Sequence, residues 1–285
     1  MMTDRTDPAP IVREPLARDR ITRDRSARER DLDLDAAGAD AEALRLEAVT
    51  KAFGRRRVLD RVSFAVRRGT ACIILGRSGT GKSVTLKHII GLLKPDAGRV
   101  FVRGEDITDY TSRQLTPIRR GIGFLFQNAA LFDSISVGEN VAFPLRRHTD
   151  LPDMEIRARA HEKLASVGLG DDYDKMPADL SGGMKKRAGL ARAMALDPPL
   201  LLVDEPSAGL DPITSGEIDE LLLGLKRDRG TTLVVVTHNI PSARTIGDEL
   251  LMLHEGQILA RGTADELAAD ERDIVRAFMQ SKTSG

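Results

Sequence analysis

The sequence has no tryptophan, two tyrosines, a single cysteine and no excess of either charge. Each shortage closes off a class of protein. One cysteine, Cys72, cannot form an internal disulfide, so nothing calls for an oxidising compartment, and its place in the apolar run "ACIILG" reads as a small core side chain. Lysine plus arginine number 43 and aspartate plus glutamate 43. There is therefore no net field to gather a polyanion, which removes the strongest electrostatic argument for a nucleic-acid partner. No window approaches the roughly 18 apolar residues needed to span a bilayer. The first stretch, "MMTDRTDPAPIVREPLARDR", lacks the apolar core of a signal peptide. The chain is expected neither to cross nor to anchor in a membrane by itself, so a membrane role must come through a partner.

What is present is a chain of 285 residues with 41% apolar content, enough for one large domain or two small ones. Residues 1–43 alternate arginine with aspartate or glutamate and contain no aromatic residue. Such a segment cannot bury enough surface to offset its ordering entropy, so a charged arm is expected there; its mixed charges could also pair at helical spacing. From residue 44 the pattern changes. "LRLEAV" and "VLDRVSFAV" alternate as half-buried strands do, and "ACIILG" (71–76) reads as a strand buried on both faces. "KSVTLKHIIGLL" has helical spacing and is expected to end near Lys94-Pro95. "RVFVRG" and "GIGFLFQ" read as further strands. Residues 128–195 read as mostly helical, with breaks at Pro144, Pro152, Gly168, Gly170 and Pro177. Strands return at "PLLLVDE" (199–205) and "TTLVVVTH" (231–238), with a helix over 213–228 between them. "ELLMLHEGQILARG" reads as a hairpin turning at Glu255-Gly256, and "ADELAADERDIVRAFM" as one short helix. Alternating strands and helices imply an α/β core with a mainly parallel sheet.

Two glycine-rich turns carry the chemistry. "GRSGTGKS" fits G-x-x-x-x-G-K-[ST] through Gly76, Gly81, Lys82 and Ser83, and it has the required strand before it and helix after it. In such a loop (Gly76, Arg77, Ser78, Gly79, Thr80, Gly81, with Val84 following) glycines let successive N–H groups point at phosphate oxygens, and the helix N-terminus adds partial positive charge. Lys82 would neutralise the terminal phosphates and Ser83 would ligate Mg²⁺. Asp204 and Glu205 end the apolar run "LLLVDEP", where an open α/β sheet places its ligands. Asp204 is the expected second metal holder and Glu205 the expected base for the attacking water. The second turn, in "LSGGMKKR" (180–187), opens another segment of good helix formers, so Ser181, Gly182 and Gly183 form a second candidate anion site. Spacing does not force a role on it; serving the nucleotide held by another copy of the chain is one arrangement that uses both turns.

Taken in order, "GRSGTGKS", Gln127 in "FLFQ", "LSGGM", "LLLVDEP", "SAGLD" (207–211) and His238 in "VVVTHN" resemble the ATP-binding cassette (ABC) ATPases over about residues 44–265. The resemblance implies a P-loop NTPase core, an antiparallel β subdomain and an inserted α-helical subdomain near 128–195, with a C-terminal helix and tail over 266–285. It implies ATP and Mg²⁺ as cofactors, and a head-to-tail dimer in which the "LSGG" turn of one copy clamps the ATP of the other. By the same resemblance Phe53 stacks on adenine, Gln127 senses the γ-phosphate and metal, Asp211 communicates across the dimer, and His238 contacts the γ-phosphate and helps hold the water. Two positions depart from the family pattern: Met184 stands where glutamine is usual, and Asn239 where aspartate often follows the histidine. Ser181, Gly182 and Gly183 are intact, and Asn239 keeps hydrogen-bonding capacity.

Within that family, "SGGM" followed by basic residues, "GLLKPDAGRV", "FLFQNAALFDSISVGENVAFPLRRH" and "SAGLDPITSGEID" are similar to the ATPases of Mce-associated lipid transporters. That class implies an integral membrane permease, an Mce-domain protein, in some members a small STAS-domain subunit, and a place at the cytoplasmic face of the inner membrane. Other readings are the ATPase of a polar-solute importer, a non-transport ABC ATPase acting on DNA or ribosomes, and a simple P-loop kinase. The non-transport class has paired cassettes or a long coiled coil, which this chain lacks, and a kinase leaves "LSGG", Gln127 and His238 unused. "GRRRV" reads as a solvated loop, though Arg55–Arg57 could flank the adenine or phosphates. His88, His148, His161 and His254 show no metal-ligand spacing. The amphipathic end "IVRAFMQSKTSG" is expected to pack on its own core, and in the Mce-associated class could touch the other ATPase copy.

Overall fold

The computed structural model describes residues 42–281, so the expected charged arm lies outside the described residues up to position 41. Two sheets organise these residues. The first is antiparallel, in the order β2-β1-β4-β5, from β1 (Glu42–Phe53), β2 (Arg56–Arg67), β4 (Ala97–Val102) and β5 (Glu105–Asp106). The second has six strands in the order β10-β9-β3-β8-β7-β6: β3 (Ala71–Leu75), β6 (Ile122–Leu125), β7 (Leu200–Asp204), β8 (Thr232–Thr237), β9 (Glu249–His254) and β10 (Gln257–Gly262). All its pairings are parallel except the β9–β10 hairpin, which turns at Glu255 and Gly256.

The continuous apolar runs explain the layering. Along β3, Ala71, Ile73 and Leu75 join one buried cluster while Cys72 and Ile74 join another; Leu201 and Val203 of β7 and Leu233 and Val235 of β8 divide from their neighbours in the same way. Period-two alternation thus sends apolar side chains into cores on both faces, as a covered parallel sheet requires. One core is closed by the antiparallel sheet together with α1 (Lys82–Ile89) and α2 (Ser112–Arg120). The other is closed by α3 (Val137–His148), α4 (Asp153–Ala165), α5 (Gly182–Ala193), α6 (Pro212–Arg229) and α7 (Ile240–Ile246). Burial at Leu75, Leu202 or Leu233, all fully enclosed, makes truncation to alanine cost about 2–5 kcal/mol.

Several expectations are corrected. The helix after the phosphate loop stops at Ile89, because Gly91 (φ 68°) bends the chain and the N–H groups of Leu92 and Leu93 turn back onto the carbonyl of Lys87. Pro144 does not break the chain but lies inside α3; Pro152, Gly168, Gly170 and Pro177 do sit at element boundaries. The single expected helix near the end is two, α8 (Ala264–Ala268) and α9 (Asp273–Gln280), because the Asp270 carboxylate captures the backbone N–H and the guanidinium of Arg272. Val275 and Met279 of α9 are buried in the molecule's own core, as expected for that amphipathic end. Cys72 is buried and free. No helix among the described residues is long and apolar enough to cross a membrane.

Candidate active site

Strands β3, β8, β7 and β6 are consecutive neighbours, and each delivers one part of the site at its C-terminal end: the phosphate loop, His238, Asp204 with Glu205, and the loop bearing Gln127. Between these ends and the antiparallel sheet lies a cavity of about 350 Å³ lined by Phe53, Arg56, Ser78, Lys82, Gln127, Glu205 and His238, and also by Gly79, Gly81, Ser83 and Val84. Most of the expected nucleotide residues therefore meet in one space. Gly76, Thr80 and Asp204 belong to the same loop and strand end but do not line it. Arg77 lines a neighbouring cavity of about 400 Å³, beside His254 and α9.

The loop is shaped by contacts that exclude side chains. At Gly81 (φ 107°) a Cβ would lie 2.8 Å from both the Leu59 side chain and the Val58 carbonyl, and at Gly76 it would lie 2.5 Å from the Leu253 carbonyl. Gly81 caps α1 without a side-chain acceptor, so the helix's first N–H groups are left for an anion. Arg56 reaches over from β2 and donates to the Gly79 carbonyl at 3.0 Å, while Arg55, Arg56 and Arg57 are all exposed, as a solvated loop requires. Phe53 ends β1 at 48% exposure, a flat apolar face at the cavity's rim.

Lys82, Glu205 and His238 converge at the loop's mouth. The Lys82 ammonium is buried, donates to the carbonyls of Gly76 (2.8 Å) and Arg77 (3.2 Å), and lies 3.2 Å from Glu205 Oε1. The other Glu205 oxygen, Oε2, accepts from the His238 backbone N–H at 3.3 Å and lies 2.9 Å from its Nδ1. Glu205 itself is held at φ 46°, a left-handed conformation costly for a side-chain-bearing residue, and such strain gathers at functional sites. Beside it Asp204 Oδ1 accepts from the Ser83 hydroxyl at 2.8 Å. Burial pushes the Asp204 carboxyl above the usual range; the Ser83 hydrogen bond opposes this and the nearby Glu205 charge adds to it. Ser83 and Asp204 offer the hard oxygen donors that Mg²⁺ takes. No group of three or more His, Cys, Asp or Glu side chains among the described residues is arranged to hold a metal. The Ser83 and Asp204 oxygens, with Gln127 lining the same cavity as Ser83, fit an ion whose remaining ligands are phosphate oxygens and water.

The second glycine turn lies elsewhere. Ser181 caps α5, its hydroxyl accepting from the Met184 N–H at 3.2 Å, and neither Ser181 to Met184 nor Asp211 lines the cavity. Ser181 and Gly182 are exposed, whereas Gly183 is pressed against α6: a Cβ there would fall 2.4 Å from Thr214 Cγ2. Asp211 caps α6, accepting from the N–H groups of Ile213 and Thr214 at 3.0 Å and the Thr214 hydroxyl at 2.6 Å; those bonds hold its carboxyl below the usual range. Asn239 caps α7 through the Ser242 N–H at 3.1 Å and donates to the Ser207 hydroxyl at 3.3 Å. That donation, which aspartate could not make, ties the histidine loop to the segment after Glu205. Met184 packs against the helical core.

Sequence reasoning missed Lys186. Its ammonium is buried and donates to the carbonyl of Gln127 and, at 3.0 Å, to that of Glu205. A lysine between Lys185 and Arg187 reads as a solvated cation, and the signal that could have found it is helical phase, since Gly183, Lys186 and Leu190 share one buried stripe.

Comparison with known proteins agrees with this geometry. Residues 59–208 match the ABC transporter family. The "Probable ribonucleotide transport ATP-binding protein mkl" of Mycobacterium tuberculosis is 42% identical over 243 residues, 85% of this chain and 68% of that protein. The intermembrane phospholipid transport system ATP-binding protein MlaF of Escherichia coli is 40% identical over 232 residues, 81% of this chain and 86% of that protein. Among solved structures, the dimeric post-hydrolysis state of the ATP-binding cassette MJ0796 bound to ADP and Pi superposes with a TM-score of 0.73 at 36% identity, covering 77% of this chain and 98% of that one.

Proposed function

This chain belongs to the ABC transporter family of ATPases, and on that premise we propose how its residues divide the work and what the transporter carries. The chain is the ATP-hydrolysing subunit of a membrane transporter: it binds ATP, pairs with a second ATPase subunit and works with permease partners. The phosphate loop Gly76–Ser83 cradles the phosphates through its N–H groups, Lys82 exchanges its carbonyl contacts for phosphate oxygens, and Phe53 stacks on the adenine. Ser83, Asp204 and Gln127 would hold Mg²⁺, which would supply charge neutralisation at the phosphates. Glu205 takes the proton of the attacking water while His238 steadies it and the γ-phosphate. The observation that carries this reading is the Glu205 carboxylate fixed between Lys82 at 3.2 Å and His238 at 2.9 Å: the base stands beside the two groups assigned to the terminal phosphate.

The site is half of a shared one. Ser181 and Gly182 stand exposed at a helix start outside their own chain's cavity, with Gly183 and Met184 following in the first turn; this turn is available to a nucleotide on another copy, and Asp211 lies beside it as the cap of α6. Closure of two copies head to tail then adds contacts from both chains to one γ-phosphate, and hydrolysis removes them. Glu205→Gln tests the base: ATP binding persists, hydrolysis slows by roughly 10²–10⁴ and an ATP-bound dimer accumulates. Wild-type turnover in that variant would remove Glu205 from the role.

The cargo is a phospholipid or another lipid, moved by a permease together with an Mce-domain protein and, where one is present, a small STAS-domain subunit; the ATPase sits at the cytoplasmic face of the inner membrane. Support comes from the 40% identity to a phospholipid transport ATPase and from the stretches similar to Mce-associated ATPases. The mycobacterial relative's name points to ribonucleotides instead. Capture of the complex from detergent-solubilised membranes separates the two: an Mce-domain partner and bound lipid support this cargo, whereas a periplasmic solute-binding protein or bound nucleotide cargo overturns it.

A further inference from the structure

Lys186 lies mid-way along α5 with 5% of its surface exposed. Burying an ammonium costs desolvation, and that burial holds its pKa below the usual lysine range, with the nearby Asp204 and Glu205 charges pulling the other way. An apolar side chain could fill the same space, so the cation's presence is explained by the acceptors it serves. Both are backbone carbonyls beside bent chain. Glu205 has φ 46°, and the loop after Gln127 carries two non-glycine residues in the same region, Ala129 (φ 57°) and Ala130 (φ 50°). The Glu205 carbonyl accepts from Lys186 at 3.0 Å and from the Ala208 N–H at 3.2 Å; the Gln127 carbonyl accepts from Lys186. Further along the same helix, Arg192 donates to the carbonyls of Ala129 (2.6 Å) and Ala130 (2.7 Å). Thus α5 grips the loop from Gln127 to Ala130, and of its two grips Lys186 also reaches Glu205.

We propose that Lys186 is a positioning residue for ATP hydrolysis, locking the backbone of Gln127 to that of Glu205 and both to the helix that begins at Ser181. The proposal rests on the roles given above to Gln127 and Glu205. It follows that Lys186 governs the alignment of the base with the phosphate end and does not govern nucleotide affinity, since Phe53 and the phosphate loop are not among its contacts. It also follows that Lys186 acts in large part through Glu205, so its effect shrinks when the base is already gone.

The test uses the full chain with its permease. Lys186→Met keeps the apolar stem and removes all three donors; Lys186→Gln keeps two N–H donors without charge. Lys186→Met is expected to lower kcat about 10- to 100-fold while KM and ATP affinity stay within about twofold, with Lys186→Gln losing less, about 3- to 10-fold. In a Glu205→Gln background, either substitution should lower the residual rate by a smaller factor than in the wild-type background. A wild-type kcat in folded Lys186→Met, a loss that appears in KM or ATP affinity, or a loss that adds in full to Glu205→Gln overturns the proposal. Should Lys186→Met melt below the assay temperature, Lys186→Gln carries the same three criteria. Normal turnover of Glu205→Gln would sink the assignment of the base, while an inactive Glu205→Gln beside a fully active Lys186→Met would sink this inference alone.

Discussion

Asp219, on α6, is buried to 6% exposure, its Oδ1 has no hydrogen-bond partner, and its other contact is the Ser242 hydroxyl of α7, the helix that starts just after His238. Burial raises its pKa to about 6, against the Ser242 hydrogen bond and with a smaller push from Glu220. The folded carboxyl therefore binds its proton more tightly than the unfolded one. Its contribution to stability is complete below the unfolded pKa near 4 and is lost as the pH rises through about 6. Asp219→Asn has no such titration, so the variant's unfolding free energy relative to wild type should rise by roughly 1 kcal/mol between pH 5 and pH 8. Denaturant melts at the two pH values measure this, and an unchanging difference would show that Asp219 ionises freely. Residues such as Lys82, Ser83, Asp204 and Glu205 were legible in the sequence because their chemistry depends on local order: a glycine loop after a buried strand, an acidic pair at a strand's end. Asp219 and Lys186 were not, because their character comes from partners brought near by folding, Ser242 for one and the carbonyls of Gln127 and Glu205 for the other.

At the scale of elements, the two helices that follow "LSGG" and "SAGLD" are fitted start to start. Gly183 in the first turn of α5 leaves room for the Thr214 methyl, and Thr214 is itself held by the Asp211 cap of α6. Gly183→Ala places a methyl 2.4 Å from Thr214 Cγ2, and neither side can yield without disturbing a helix start. The cost of such overpacking is about 1–3 kcal/mol. The expected result is a lowered Tm together with a loss of turnover larger than any loss of ATP binding to the single chain; adding Thr214→Ser, which removes the methyl, should restore both. Persistent inactivity in the double variant would mean that Gly183 matters through its backbone at the nucleotide and not through this contact. The same scale explains which elements the sequence revealed. β3, β7 and β8 are buried on both faces, and short apolar runs of that length ended by a glycine loop, an acidic pair or a histidine read as covered strands. The stop of α1 at Ile89 and the break between α8 and α9 depend on Gly91 turning the chain and on Asp270 gripping Arg272, and helical periodicity runs straight past both.

For the whole molecule the decisive question is whether a nucleotide is served by one chain or by two. Lys82 and Ser181 lie in separate places on the same chain, the first in the cavity and the second outside it. Lys82→Ala should weaken nucleotide binding itself, because the ammonium at the loop's mouth is gone. Ser181→Arg should leave the cavity and ATP binding by the single chain intact, yet abolish turnover by forcing bulk against the facing copy. Each variant alone is then inactive, for different reasons. Mixed in equal amounts and allowed to exchange, half of the dimers contain one chain of each kind. In a head-to-tail pair such a dimer has one site built from the intact phosphate loop of the Ser181→Arg chain and the intact turn of the Lys82→Ala chain, while its other site carries both lesions. About a quarter of all sites are whole, so the mixture should recover up to about a quarter of wild-type ATPase activity from two inactive parents. Less recovery, still above both parents, means that the two sites fire together. No recovery at all, with exchange verified by labelled chains, would mean that Lys82 and Ser181 do not meet at one ATP across the dimer.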